Sequence, residues 1–226
     1  MLGEISLAHN GILFMDEFPE FPRSVLEVLR QPLEDRHITV SRAKYTIDYP
    51  CSFMFVASMN PCPCGYFGDP THKCVCSPGQ VQRYMSRVSG PLLDRIDIQC
   101  DIAAVPFAEL SKMAPGEPSA AIRARVIAAR QIQENRYKDY KGIHCNAQMT
   151  ERMIHQFAEP TEEGINLLRM AMEKLSLSAR AYNRILKVAR TIADLAGSQQ
   201  VEPQHLAEAI GYRTQDRGDW AERGHF

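Results

Sequence analysis

No G-x-x-x-x-G-K-[ST] stretch occurs in the 226 residues, so the chain carries no loop of the kind that wraps the phosphates of a bound nucleotide. Long apolar runs are missing too. The longest, near residues 11–15 and 53–57, fall far short of the roughly 20 residues a spanning helix needs, so no membrane is expected among the partners. The N-terminus shows no basic segment followed by an apolar one, and no secretory signal is read there. Charge of one sign is not in excess: 26 Lys and Arg face 27 Asp and Glu, a net of −1, so any binding to nucleic acid has to come from a local patch. Internal repeats, low-complexity tracts, recognition-helix motifs and RNA-binding motifs are absent. The seven cysteines are an odd number, and with 14 prolines and 13 glycines they do not suggest a small disulfide scaffold. A reducing, cytoplasmic compartment is the expectation.

What is present begins with Gly11-Ile12-Leu13-Phe14-Met15-Asp16-Glu17-Phe18. An unbroken apolar run predicts a strand buried on both faces of a parallel sheet. Asp16 and Glu17 then emerge at its carboxyl end, where open α/β sheets place their ligand chemistry. In P-loop NTPases this pattern is Walker B: the Asp sits near Mg²⁺ and the Glu polarises a water. The plain alternative is two solvated acids at a strand end. His9-Asn10-Gly11 is a turn, and Pro19 and Pro22 frame a helix with Val25, Leu26, Val28 and Leu29 on its apolar side. Pro32 ends or bends that helix. Strand formers on either side of Arg42-Ala43-Lys44 predict a β-hairpin over 37–49. Phe53–Ala57 is a second buried strand ending in Ser58-Met59-Asn60-Pro61. A cysteine- and glycine-rich loop runs on to Gly79, a helix over 80–88 and a strand over Leu92–Ile98 follow, and Pro106 closes the α/β part.

With 45% hydrophobic residues, a chain of this length can bury one large core or two small ones. The composition favours two: an α/β part over 1–108, a linker over 109–118, and an all-α part over 119–226. Helices are predicted at Ala120–Tyr137, Met149–Phe157, Thr161–Lys174, Ser178–Ala196 and Pro203–Tyr212, with capping residues such as Thr161 and Ser178 at their starts. Tyr182, Ile185, Leu186, Ala189, Ile192 and Leu195 define a core-facing stripe. Arg180, Arg184, Lys187 and Arg190 fall on the polar side, ordinarily a solvated face.

Further side chains carry possible chemistry. Asn60 ends a buried strand, where an amide can orient water or bond a phosphate oxygen, or merely start an Asn-Pro turn. Arg95, within Ser89-Gly90-Pro91-Leu92-Leu93-Asp94-Arg95-Ile96-Asp97, is either a surface ion pair or a planar charge able to stabilise phosphoryl transfer. Arg36, His37, Arg42 and Lys44 make the hairpin basic, suited to nucleic-acid backbone and indifferent to sequence, unless Asp35 and Asp48 neutralise it. Cys62-Pro63-Cys64 and Cys74-Val75-Cys76 form a C-x-C…C-x-C set with His72 between, able to close a zinc site or to remain free thiols. Cys51, Cys100 and Cys145 fit inert buried thiols. His144, His155 and His205 have no ligand-like spacing.

Gly3-Glu4-Ile5-Ser6-Leu7-Ala8-His9-Asn10-Gly11 leading into Asp16-Glu17, then Ser58 to Gly65, Ser89 to Asp97 and Ser178-Ala179-Arg180-Ala181-Tyr182, together resemble the magnesium-chelatase-like AAA+ ATPases. Within them the likeness is to bacterial chelatase-related proteins of the competence and branch-migration type. The resemblance implies a partial P-loop AAA+ sheet with a helical lid. Asp16-Glu17 would be Walker B with Asp16 on Mg²⁺, Asn60 sensor 1, Arg95 the finger reaching a neighbouring subunit, and Arg180 sensor 2. It also implies ATP as cofactor, a homo-oligomeric ring such as a hexamer, and DNA as partner. The hairpin corresponds in position to one that enters the ring channel of MCM helicases. The family's phosphate loop and first strands precede the position of Gly3, so this chain is expected to be a carboxyl-terminal part that hydrolyses no ATP alone. Two rivals stay open: the ATPase subunit of a metal chelatase, and a non-catalytic module binding DNA or partner subunits.

Overall fold

The structure is a computed structural model that describes residues 3–42, 45–69, 71–102, 105, 116–175 and 177–213. Lys44, Pro106, most of the expected linker and the tail beyond 213 lie outside the described residues, as does the side chain of Arg42. The chain divides into two compact units that meet between Ile96 and Asp97.

The first unit opens with α1 (Glu4–Leu7), β1 (Ile12–Met15) and a 3₁₀ turn (Phe18–Glu20). It continues through α2 (Arg23–Val28), α3 (Arg30–Asp35), β2 (His37–Arg42), β3 (Tyr45–Pro50), β4 (Met54–Ala57), α4 (Pro78–Met85) and α5 (Gly90–Leu93). β1 and β4 pair in parallel with Met15 opposite Ala57. β2 and β3 form the predicted antiparallel hairpin, from His37–Pro50 at the base to Arg42–Tyr45 at the far end. Pro32 bends its helix rather than ending it. Without an N–H to give Val28, it separates α2 from α3 at Leu29 and is itself buried in the first turn of α3.

Several expectations need correction. β1 and β4 are covered on one face only. Met15, Leu13 and Phe55 pack with Ile5, Leu26, Leu29, Leu33 and Leu92, whereas Ile12, Phe14, Met54 and Val56 are 60, 59, 57 and 38% exposed. Among the described residues the helices of this unit reach only the first of these faces. An apolar run records what a strand is made of, not how many layers lie over it. Leu92–Ile98 is not a strand. Pro91 sets a helical φ in the first turn after Ser89, and Ser89 O accepts from the N–H groups of Leu92 and Leu93 at 2.9 and 3.0 Å. Of the cysteines expected to be buried, Cys51 is, and its thiol is pushed up by desolvation and then by Asp35. Cys100 is exposed and Cys145 half-buried.

The second unit contains α6 (Ser119–Tyr137), a 3₁₀ turn (Asn146–Gln148), α7 (Glu151–Phe157), α8 (Glu162–Lys174), α9 (Ala179–Leu195) and α10 (Pro203–Gly211). Hydroxyls of Thr150, Thr161 and Ser178 accept from Met153, Gly164 and Ala181 N–H groups and so cap α7, α8 and α9. Ile185, Leu186 and Ala189 are buried with Leu168, Val201 and Leu206, and Tyr182 and Ile192 pack alongside. Leu195, expected in that stripe, is 40% exposed at the helix end. Where α8 meets α10, a Cβ on Gly164 would lie 2.7 Å from Leu206 Cδ1 and 3.1 Å from Pro160 Cβ. Gly164→Ala is therefore expected to destabilise this unit by about 1–3 kcal/mol, read from denaturant midpoints, despite Ala's better helix propensity. A neutral or stabilising effect would mean that Leu206 repacks freely.

The polar side of α9 is not the solvated stripe expected. Arg190 is fully buried: its Nε donates to Asp194 Oδ1 at 3.1 Å, and its Nη atoms donate to Gln199 O at 2.8 Å and Ser198 O at 2.5 Å. Arg136 of α6 grips Asp194 with both Nη atoms at 2.7 and 2.5 Å. Asn146 completes the cluster through Asp194 Oδ2, Thr191 Oγ1, Tyr137 Oη, Arg136 Nη1 and Gln133 Oε1. Burial pulls the Arg190 guanidinium down while Asp194 pulls it back up. Arg184 pairs with Asp97 at 2.5 Å and Lys187 donates to Ala147 O at 3.1 Å. These cations hold distant segments of one unit together, which their helical spacing does not announce.

Candidate functional site

Parallel pairing brings the carboxyl ends of β1 and β4 side by side, and the register that sets Met15 against Ala57 sets Asp16 against Ser58. Ser58 N donates to Met15 O at 3.0 Å and Phe18 N to Ser58 O at 2.9 Å, so the two exits are laced together. Asp16 is exposed, with Oδ1 accepting from Ser58 Oγ and from Glu17 N at 3.0 Å. Glu17, also exposed, has φ 50° and ψ 46°, a left-handed conformation costing a non-glycine residue about 1–2 kcal/mol. Phe18 holds it there, fully buried and edge-on to Phe55 at 5.4 Å. Strain of this kind persists when the surroundings over-determine it, and it clusters at sites that aim a side chain. Here it sets the exposed Glu17 next to Asp16 at the carboxyl end of the sheet.

Asn60 lies exposed three residues beyond β4, with its backbone bonded to the hydroxyl of buried Tyr84 of α4. Asp16 and Glu17 follow the exit of β1, and Asn60 follows the exit of β4 at the same end of the sheet. Arg95 belongs to the same unit but is tied inward. Its Nη1 donates to Pro91 O at 2.6 Å and its Nε lies 2.7 Å from Glu34 Oε2 of α3, with the side chain 10% exposed. Arg180 belongs to the second unit, exposed in the first turn of α9. A cation there opposes the helix dipole, an arrangement that stability alone disfavours. Ser58, Tyr84 and Glu34 were missed. Matching the two apolar runs by their ends would have found Ser58, but nothing in the sequence pairs Glu34 with Arg95.

Of the hairpin's basic residues, Arg36 and His37 stand at its base. Arg36 is half-buried at the left-handed end of α3, and His37 Nδ1 sits 3.1 Å from Asp35 O at the hairpin base. Arg42 is five positions further along β2, roughly 17 Å at ordinary strand rise. Thr39 and Ser41 share the face of His37 and bond to Asp48 and Thr46 across the strands. The opposite face carries Ile38, Val40, Tyr45, Ile47 and Tyr49.

Between Asn60 and α4, the thiols of Cys62, Cys64, Cys74 and Cys76 converge, all sulfurs lying within 4.8 Å of one another. This is the metal-competent group found among the described residues. His72 is outside it, stacked on Tyr66 at 5.0 Å. Backbone N–H groups of Tyr66 and Val75 point at Cys64 and lower its thiol to about 6. Asp69 Oδ1 accepts from Thr71 N, Thr71 Oγ1 and His72 N at 2.6, 2.7 and 2.9 Å, which closes the turn between the two C-x-C arms and holds its carboxyl at about 2. No helix among the described residues is long and apolar enough to cross a membrane.

Comparison with known proteins finds family models and relatives over most of the chain. A family model described as magnesium chelatase, subunit ChlI, matches residues 1–110, and one for the ChlI C-terminal region matches 116–213. The competence protein ComM of Haemophilus influenzae is 46% identical over 216 residues, covering 95% of this chain and 41% of that protein. The uncharacterized protein YifB of Escherichia coli is 45% identical over the same length and coverage. The uncharacterized protein Rv2897c of Mycobacterium tuberculosis is 36% identical over 211 residues, 93% of this chain and 41% of its own. The chain thus spans about two fifths of the length of the curated relatives it matches.

Proposed function

Because the chain belongs to the magnesium-chelatase family, we propose that it forms the Walker B to sensor 2 portion of an AAA+ ATPase, a ring-shaped motor working on DNA. The observation that carries this reading is Asp16 and Glu17 standing at the carboxyl end of β1, laced to the β4 exit that leads to Asn60. The donor set fits the metal-and-water side of an ATP site: a carboxylate oriented by Ser58, a second exposed one next to it, and a neutral amide beyond the β4 exit. The phosphate cradle has no counterpart in the 226 residues. When bound, ATP with Mg²⁺ supplies the phosphoanhydride and the metal charge.

Asp16 holds its carboxylate ready for the metal, Glu17 takes a proton from water, and Asn60 orients that water or the terminal phosphate. Arg95 has to exchange Glu34 for phosphate before it acts across a subunit interface, so its engagement is coupled to movement of α3 or α5. Arg180 lends its charge from the lid. The Arg42 end of the hairpin is the part offered to DNA.

ATP hydrolysis by the complete protein, measured with and without DNA, tests this together with DNA retention across a salt series. The expected result is DNA-stimulated hydrolysis, no hydrolysis by residues 1–226 alone, and affinity falling with a log–log slope of about −0.9 per phosphate contacted, whatever the base sequence. ATP-dependent Mg²⁺ insertion into a porphyrin without any response to DNA would replace the motor by a chelatase subunit. DNA binding without hydrolysis would leave a non-catalytic module.

A further inference from the structure

We propose that Cys62, Cys64, Cys74 and Cys76 bind one zinc ion through all four sulfurs, a structural site that staples the loop between β4 and α4. The inference goes beyond the reading as a motor and does not depend on it.

The sulfur spacing carries the argument. Cys62 and Cys64 are 3.3 Å apart, Cys64 and Cys74 3.5 Å, and Cys62 and Cys74 3.8 Å. A tetrahedron of thiolates about 2.3 Å from zinc has edges of about 3.8 Å, whereas a disulfide needs about 2.05 Å. The sulfurs are therefore spaced for a shared ion, not for each other. The two C-x-C arms come from opposite ends of the loop, and Asp69 closes the turn that returns one arm to the other.

The surroundings suit an anionic centre. Loading zinc releases the thiol protons to solvent and leaves two negative charges on a tetrathiolate. The backbone N–H groups of Tyr66 and Val75 point at Cys64, that of Cys76 at Cys74, and that of Cys64 at Cys76. Such amide-to-sulfur bonds spread charge and fix ligand orientation. Four protein ligands leave no position for water or substrate, which makes the site structural rather than catalytic. Val75 is 83% exposed and Tyr66 43%, so the loop has little apolar packing to order it. What the ion would hold in place matters: Cys62 is fully buried two residues after Asn60, and Ser77, one residue after Cys76, caps α4. The staple would therefore set both ends of the segment that presents Asn60.

The complete protein, purified reduced and without chelators, is expected to contain about one zinc per chain by mass spectrometry. A mercurial reagent should release that zinc as about four thiols react, and cobalt should replace it with the charge-transfer and visible bands of a tetrahedral tetrathiolate. Cys64→Ser with Cys74→Ser should abolish the metal, while Cys100→Ser should retain it. Chelation should speed tryptic cleavage after Lys73 by about tenfold or more. Reduced wild-type protein that holds no zinc and develops no cobalt bands overturns the proposal even if the double variant fails to fold. So does metal that survives the double substitution. Zinc without ATP hydrolysis would uphold this site and count against the motor; hydrolysis without zinc would do the reverse.

Discussion

Glu17→Gln in the complete protein is expected to leave ATP binding unchanged within a factor of about three and to lower turnover by about 10²–10⁴-fold. Gln fills the same volume and tolerates the left-handed backbone as Glu does, so folding stability should move by less than about 0.5 kcal/mol. What is removed, under the proposed reading, is the carboxylate that accepts the proton of the attacking water. Asp16, still hydrogen-bonded by Ser58, keeps its place, so nucleotide with Mg²⁺ should be captured and held rather than lost. Nucleotide binding by fluorescence and single-turnover hydrolysis separate the two steps. Turnover within about threefold of wild type would remove Glu17 from the chemistry and return the acidic pair to a solvated strand end.

Asp194→Ala carries the largest expected effect on folding, a loss of about 3–5 kcal/mol from the helical unit. Arg136 and Arg190 both reach Asp194, and Arg190 is as buried as the aliphatic core. Removing the one carboxylate leaves a buried guanidinium with carbonyls but no counter-charge, beside a second cation. Asn146 would also lose one of the two acceptors that hold its amide. Thermal and denaturant unfolding of the chain should show this unit melting first, with loss of its tertiary signal. A double-mutant cycle with Arg190→Met isolates the pair: part of the loss should return when the stranded cation is removed as well. A loss under about 1 kcal/mol would mean that water enters the site and that the network is peripheral.

Features written in contiguous residues were legible in the sequence. The acidic pair after an apolar run, the hairpin, the C-x-C pairs and the hydroxyl caps of α8 and α9 each depend on neighbours close along the chain. Features that depend on what arrives from elsewhere were not. Arg190 looks like a surface residue by helical spacing, because its environment is made by Asp194, by Arg136 58 residues before that, and by the Ser198–Gln199 turn. The bare face of β1 was hidden for the same reason. The motif around Arg95 left an ion pair and a phosphate-facing charge both open, and its tie to Glu34 required α3 and α5 to be seen side by side. At Leu92 the failure was local: a short apolar stretch fits strand and helix alike, and Pro91 decided for the helix.

The left-handed backbone at Glu17 has a consequence for anyone who engineers this protein. Glycine adopts that conformation without penalty, so Glu17→Gly is among the first substitutions a search for thermal resistance should find, worth up to about 1 kcal/mol. Under the reading above, the same change silences the motor. A selection that rewards only survival at high temperature would therefore drift toward hardier, idle molecules, and should be paired with a screen for turnover.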